Sequence, residues 1–339
     1  MATCAIRPSL LNKFTFRPVY IPPPGDSHRI ICHDATRNIM FSPEYNNGGA
    51  VINSPNLGRT FVKNAAPSLI NGNHHCWCLG SEGFLLGRKS QSVADVLAWT
   101  EAGGAFTTAP GGGVASDYEI SRLFFGNNNY FSDVLALIYG NRVLVRKEPG
   151  GSVWTGSAQT GFGGNNMGPK IYLKGNIYCF DNAAFRSGTG LVNTTTVVPT
   201  DFPSGRITSV NRQWLSLVGR NLDIMSVLST QGTLFRSENA GENWIEGAPV
   251  GVPEYNGRWV RPIPGLGRFG EEVILVIADN GEMGALSVDR GETWRLFDLP
   301  EFLRYVGDWQ NVEIAYVEGA WLGAFGNYGI WELTPDYRG

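Results

Sequence analysis

A repeat stepping at about 47 residues, a glycine-rich composition without an amphipathic helix, and three copies of one turn sequence predict an all-β fold, a seven-bladed β-propeller. At 339 residues the chain is long for a single compact core, which leaves two domains or one large all-β unit. Gly occurs 44 times and Trp 10 times, charged residues are only 17%, and Pro is scattered along the chain. That is the composition of many short strands joined by turns. Apolar residues alternate or fall in short runs, and Gly, Asn or Pro interrupts every window long enough for a helix.

The clearest turn is Ser287-Val288-Asp289-Arg290-Gly291-Glu292-Thr293-Trp294. Ser237-Glu238-Asn239-Ala240-Gly241-Glu242-Asn243-Trp244 and Ser54-Pro55-Asn56-Leu57-Gly58-Arg59-Thr60-Phe61 repeat it. All three fit Ser-x-Asp/Asn-x-Gly-x-x-aromatic, so the candidate turn residues are Ser54, Asn56, Gly58, Phe61, Ser237, Asn239, Gly241, Trp244, Ser287, Asp289, Gly291 and Trp294. Each copy follows a short strand, Ala50 to Asn53, Gly232 to Arg236 or Gly284 to Leu286. A tight turn between antiparallel strands needs these residue types. The Asp or Asn folds onto following backbone N–H groups, Gly accepts positive φ, and the aromatic plugs the turn into the apolar layer beneath. None of these roles is catalytic.

Weaker copies follow the strand instead of the turn. Ala184-Phe185-Arg186-Ser187 echoes Leu234-Phe235-Arg236-Ser237, Val143 to Lys147 leads to Gly151 and Trp154, and Phe84 to Arg88 leads to Ser92 and Trp99. A last strand, Gly329 to Leu333, ends at Thr334. The six steps between positions 54 and 334 average about 47 residues, the length of a four-stranded blade. If the turn joins the third and fourth strands, the last unit lacks a fourth, and the alternating segment Lys13 to Tyr20 can supply it. The expected organisation is an N-terminal arm over 1–12 and one propeller domain over 13–339, closed into a ring by that N-terminal strand.

The turns at Ser54, Ser237 and Ser287 resemble the Asp-box, or BNR, repeat of the sialidase-like propeller superfamily, which includes photosystem assembly factors, glycan hydrolases and bacteriophage tail proteins. The resemblance spans nearly the whole chain by periodicity, with one full motif, two with Asn in place of Asp and the rest degenerate. It implies a fold element more than a function. Sialidases of this superfamily add an N-terminal Phe/Tyr-Arg-Ile-Pro segment whose Arg grips a carboxylate. Here Phe16-Arg17-Pro18 lacks the Ile, and no spacing nominates the further arginines and the Tyr/Glu pair such an enzyme needs.

The formal net charge of -3 argues against a sequence-independent nucleic-acid binder, which needs a basic face for phosphates. The start, Met1 to Arg7, has no signal-peptide pattern, and no window approaches the roughly 18 apolar residues of a membrane span. Neither export by that route nor membrane insertion is expected. Five cysteines (Cys4, Cys32, Cys76, Cys78, Cys179) without framework spacing read as reduced thiols. His74-His75-Cys76-Trp77-Cys78 could place His74, Cys76 and Cys78 on one strand face, but no second cluster completes a zinc site. Neighbours in Cys32-His33-Asp34 would point to opposite faces of a strand, which defeats a triad. The glycine runs at Gly111 and Gly161 carry no Lys-Ser/Thr pair and lead into no helix, so they are not phosphate loops.

No cofactor, metal or catalytic set is therefore expected. Tyr45, Tyr255, Trp259, Trp309 and Tyr328, with Tyr305, are the aromatics that could lie on loops and bind a sugar or protein. The function expected is that of a non-enzymatic structural or binding propeller in a symmetric multi-subunit assembly, a bacteriophage tail protein made in the host cytoplasm and working in the virion. Its expected partners are other tail proteins or a host surface receptor or glycan. A tail-borne glycan hydrolase and a cellular assembly factor are the alternatives.

Overall fold

A computed structural model describes residues 13–28, 32–34, 39–43, 50–56, 58–65, 74–80, 83–88, 96–100, 105–109, 119–125, 134–139, 143–147, 154–158, 167–173, 176–181, 184–188, 196–197, 199–202, 214–218, 223–229, 232–251, 259–267, 270–306, 312–317 and 319–336. Among these residues the strands form seven four-stranded antiparallel sheets, and the only helical segment is the 3-10 turn Glu301–Tyr305. The first six sheets take their strands in chain order. The first comprises Cys32–Asp34, Ile39–Pro43, Ala50–Ser54 and Val62–Ala65. The next three lie within 74–109, 119–158 and 167–197. The fifth comprises Trp214–Val218, Ile224–Leu228, Thr233–Ser237 and Ile245–Pro249. The sixth comprises Trp259–Leu266, Glu272–Ala278, Met283–Ser287 and Arg295–Asp298.

The seventh sheet departs from chain order. Glu313–Val317, Ala320–Ala324 and Ile330–Asp336 are completed by the N-terminal strand Lys13–Tyr20, which pairs antiparallel from Lys13 opposite Asp336 to Tyr20 opposite Ile330. Pro18 is tolerated because this is the outer strand of its sheet, where a missing N–H breaks no further ladder. The register slips between Pro18 and Tyr20.

Three of the four strands expected to precede a degenerate turn are third strands of their sheets: Val143–Lys147, Ala184–Gly188 and Ile330–Asp336. The exception is in the second sheet. Gly83–Arg88 is its second strand, and the third is Val96–Thr100. The third strands then end at 54, 100, 147, 188, 237, 287 and 336, a more even spacing than the apolar run at Phe84 suggests. Strands buried on both faces are equally apolar, so without turn residues the second and third cannot be told apart by composition.

The sixth sheet shows how such burial works. Along Val273 to Ala278 the odd residues Val273, Leu275 and Ile277 join Phe14, Ile314, Trp321 and Leu333 of the seventh sheet. The even residues Ile274, Val276 and Ala278 join Ile224, Leu228 and Leu234 of the fifth. Period-two alternation thus serves two neighbours at once, and the strand reads as an unbroken apolar run. Each fully buried aliphatic stabilises by about 1.5–3 kcal/mol. A further cluster joins the fourth and fifth sheets through Leu173, Tyr178, Met225, Val227 and Phe235. Another places Ile52 of the first sheet among Val317, Leu322, Ala324 and Ile330 of the seventh. Leading strands of consecutive sheets lie side by side at the first–second, second–third, fourth–fifth, fifth–sixth and sixth–seventh junctions.

Candidate functional site

The three turns share one hydrogen-bond pattern. In the sixth sheet the Ser287 hydroxyl donates to Asp289 Oδ1 (2.8 Å) and accepts from the Gly291 N–H (2.7 Å). Asp289 Oδ1 accepts the Thr293 N–H (2.9 Å), and Oδ2 accepts the Thr293 hydroxyl (2.6 Å). In the fifth sheet Ser237 bonds Asn239 (3.0 Å) and Gly241 (2.8 Å), and Asn239 Oδ1 accepts from Asn243 N–H (3.0 Å). In the first sheet Ser54 bonds Asn56 (2.9 Å) and Gly58 (2.7 Å), and Asn56 Oδ1 accepts from Thr60 N–H (2.9 Å).

This pattern explains why Asn replaces Asp. Only one side-chain oxygen is needed to close the turn, and the Asn56 amide still donates to the Thr60 hydroxyl (3.0 Å). A position the motif leaves open, six residues after the serine, is part of the turn: Thr60, Asn243 and Thr293. Gly58, Gly241 and Gly291 sit at φ +89°, +89° and +88°, and Ala240 and Arg290 before the last two are also left-handed. Burial pushes the Asp289 carboxyl up. The Thr293 hydroxyl, the Thr293 N–H and the Ser287 hydroxyl outweigh burial and leave it below the ordinary carboxylate range.

The aromatic residues do more than plug the layer beneath their own turns. Trp244 donates both within its own turn and beyond its sheet: its N–H to Asp201 Oδ1 (2.8 Å), and its Nε1 to Thr200 Oγ1 (2.9 Å) and Gly241 O (2.9 Å). Thr200 and Asp201 follow the last strand of the fourth sheet. Trp294 Nε1 donates to Ala248 O (2.9 Å) of the fifth sheet's outer strand, and Ala248 N–H donates to Gly291 O (2.8 Å). Phe61 lies against Tyr20, 5.9 Å between ring centroids, at the end of the N-terminal strand. Each turn therefore fastens its sheet to the outer end of another: the preceding one for the fifth and sixth, and the seventh for the first. Single-residue spacing carries no sign of those partners.

The turn of the sixth sheet also borders an open cleft of about 530 Å3, lined by Gly270, Glu271, Glu272, Val288, Asp289, Arg290 and Glu292. The Arg290 guanidinium is held between Glu272 (3.0 Å) in its own sheet and Glu238 (3.2 Å) in the fifth. Arg236 donates to the Arg290 carbonyl (3.0 Å) and lies 4.0 Å from Glu292. Such a lining suits a basic group. Among the described residues no three His, Cys, Asp or Glu side chains converge in a metal-binding group.

Arg17, the residue compared with the sialidase arginine, lies on the outer strand of the seventh sheet in an exposed ion pair with Glu332 (2.7 Å). The register shifts between His74 and Cys76, whose partners Arg88 and Gly87 are adjacent, so the alternation expected to align those two is broken. Cys32, His33 and Asp34 pair regularly with Phe41, Met40 and Ile39. Tyr328 is not a free surface aromatic, since it is half-buried against Phe302 at 5.4 Å. Tyr305 is 66% exposed. Tyr45, Tyr255 and Trp309 lie outside the described residues, as does the side chain of Trp259.

No family model matches the sequence, and no curated protein matches it. Solved structures do match in fold. A catalytically inactive virginiamycin B lyase from Staphylococcus aureus with quinupristin has a TM-score of 0.65 at 12% identity, over 96% of this chain and 100% of its own. YCF48 bound to D1 peptide has a TM-score of 0.66 at 11% identity, over 97% of each chain. The Cps50 (Swd1) β-propeller domain of Myceliophteria thermophila has a TM-score of 0.59 at 10% identity, over 94% of this chain and 99% of its own. The class of molecule that the seven sheets and these likenesses define is the β-propeller.

Proposed function

We propose that the chain is a seven-bladed, Asp-box propeller, closed into a ring by its N-terminal strand, that acts without catalysis as a binding scaffold in a bacteriophage tail. The observation that carries the scaffold reading is the use made of the motif. The serine, the Asp or Asn and the glycine of each turn are engaged within it, and the aromatic is engaged across a sheet boundary. A motif occupied in this way serves rigidity. Ring closure is supported by contacts between the first and seventh sheets, Ile52 in the seventh sheet's core and Phe61 on Tyr20, and by the ion pair of Lys63 with Asp26 in the segment that joins the two sheets.

The tail assignment draws on the resemblance to phage propellers, on cysteines of the reduced type and on eroded motifs that carry no catalytic set. A second reading, a cellular assembly factor, is favoured by the likeness to YCF48, a propeller solved with a bound peptide. Glycan hydrolysis is the third, since the fold also carries enzymes. Mass spectrometry of purified phage particles separates these readings. A fixed copy ratio to other tail proteins is expected, and absence from particles overturns the tail role. Turnover of any member of a bacterial polysaccharide panel overturns the non-enzymatic assignment.

A further inference from the structure

Between the N-terminal strand and the first sheet runs Ile21-Pro22-Pro23-Pro24-Gly25-Asp26, a segment whose backbone is set by covalent chemistry. The three prolines hold φ at about −65°, and Ile21, Pro22 and Pro23 each precede a proline and are held extended. The result is a short polyproline II helix with about three residues per turn, so Ile21 and Pro24 share one edge. Burial follows that period: Ile21 is 59% exposed, Pro22 is buried, and Pro23 and Pro24 are exposed. Pro22 points inward against Gly329, where an added Cβ would stand 2.7 Å from Pro22 Cδ. In the fifth and sixth sheets the residue directly after the outer strand is buried, Val250 at 4% and Leu299 at 6% exposed. After the N-terminal strand a proline takes the inner place instead, and Ile21 is turned outward.

The segment is held on either side of its exposed edge. Asp26 N–H donates to Pro23 O (3.1 Å), closing a turn with Gly25 at φ +98°, and Asp26 pairs with Lys63 on the first sheet's outer strand. His28 exchanges two backbone bonds with Gly326 (3.1 and 2.7 Å). An apolar edge fixed before any encounter loses little conformational entropy on binding.

We propose that this edge docks into a groove lined with aromatic side chains on a partner protein. Prolines lack the N–H groups that strand addition needs. The carbonyls of a polyproline II helix stay open to donors such as a Trp N–H, and proline rings fit between aromatic faces. Ile21 and Pro24 would fill adjacent slots of the groove. The inference names a docking element of the scaffold proposed above and rests on that reading. Its test needs no phage particle, so binding and particle incorporation can fail separately.

The test is an NMR titration of isotope-labelled WW, SH3 and EVH1 domains, small modules that carry such a groove, with the full chain. At least one domain is expected to show shifts or broadening at its aromatic groove. Ile21→Ser with Pro24→Ala should weaken that binding at least about tenfold. Leu296→Ser, which changes an aliphatic 45% exposed on the sixth sheet, should leave it unmoved. Both positions of the double variant are exposed, and an unaltered melting temperature shows that the fold is kept. Binding by none of the domains, or binding that the double variant does not weaken or that Leu296→Ser weakens equally, overturns the proposal. So does concentration-dependent self-association abolished by the double variant, which would make the edge a contact between copies of this chain.

Discussion

Asp289 holds its turn through both carboxylate oxygens, whereas Asn56 and Asn239 each close theirs to a backbone N–H through Oδ1 alone. Its lowered pKa sets the direction of acid sensitivity. A folded value below the unfolded one, about 3.9, means the stabilisation is complete above that pH and is lost as pH falls through the folded value. Melting temperatures followed from about pH 5 to about pH 2.5 should therefore fall more for the wild type than for Asp289→Asn, which keeps the Oδ1 acceptor. An equal fall removes Asp289 from the acid-sensitive groups. Gly291 is constrained differently: at φ +88° an added Cβ would also stand 2.7 Å from Leu234 Cδ2. Gly291→Ala should cost about 1–3 kcal/mol in chemical denaturation. Both roles are legible from residue types, because short-range turn chemistry depends on side chains a few positions apart.

Between elements the deciding contacts are close and long-range. Gly247, in the fifth sheet's outer strand, has no assigned role in the sequence, yet a Cβ there would meet Gly291 O at 2.5 Å and Leu234 O at 3.2 Å. Both are backbone atoms, so a strand must move. Gly247→Ala should loosen the seam where Ala248 bonds Gly291 O and Trp294, with a loss of about 1–3 kcal/mol and faster amide exchange at Ala248; unchanged exchange there contradicts the seam's importance. The N-terminal strand offers a paired comparison. Phe14 is buried, its ring 4.2 Å from Phe297 and 5.8 Å from Trp321, so Phe14→Ala should cost about 3–5 kcal/mol. Arg17 makes only an exposed pair with Glu332, and Arg17→Ala should cost at most about 1 kcal/mol. Similar losses at both positions would argue against Phe14 as the anchor of the seventh sheet.

At the scale of the whole molecule, the local repeat and the closing of sheets on one another draw on different information. Three full turns, the apolar strands ahead of them and the alternating stretch at Lys13 to Tyr20 are local patterns, so the sequence alone determined an all-β repeat and an N-terminal strand lying with the last unit. It misplaced the third strand of the second sheet, because neighbouring apolar strands read alike in sequence and no Asp or Asn marks the turn. Only the tertiary structure decided which groups the turn aromatics hold: Thr200 and Asp201 for Trp244, Ala248 for Trp294 and Tyr20 for Phe61. It also decided that Arg290 reaches across to Glu238 of the fifth sheet. These partners lie about 40 residues or more apart in the chain, and their meeting depends on how whole sheets stack, which no spacing within a single repeat encodes.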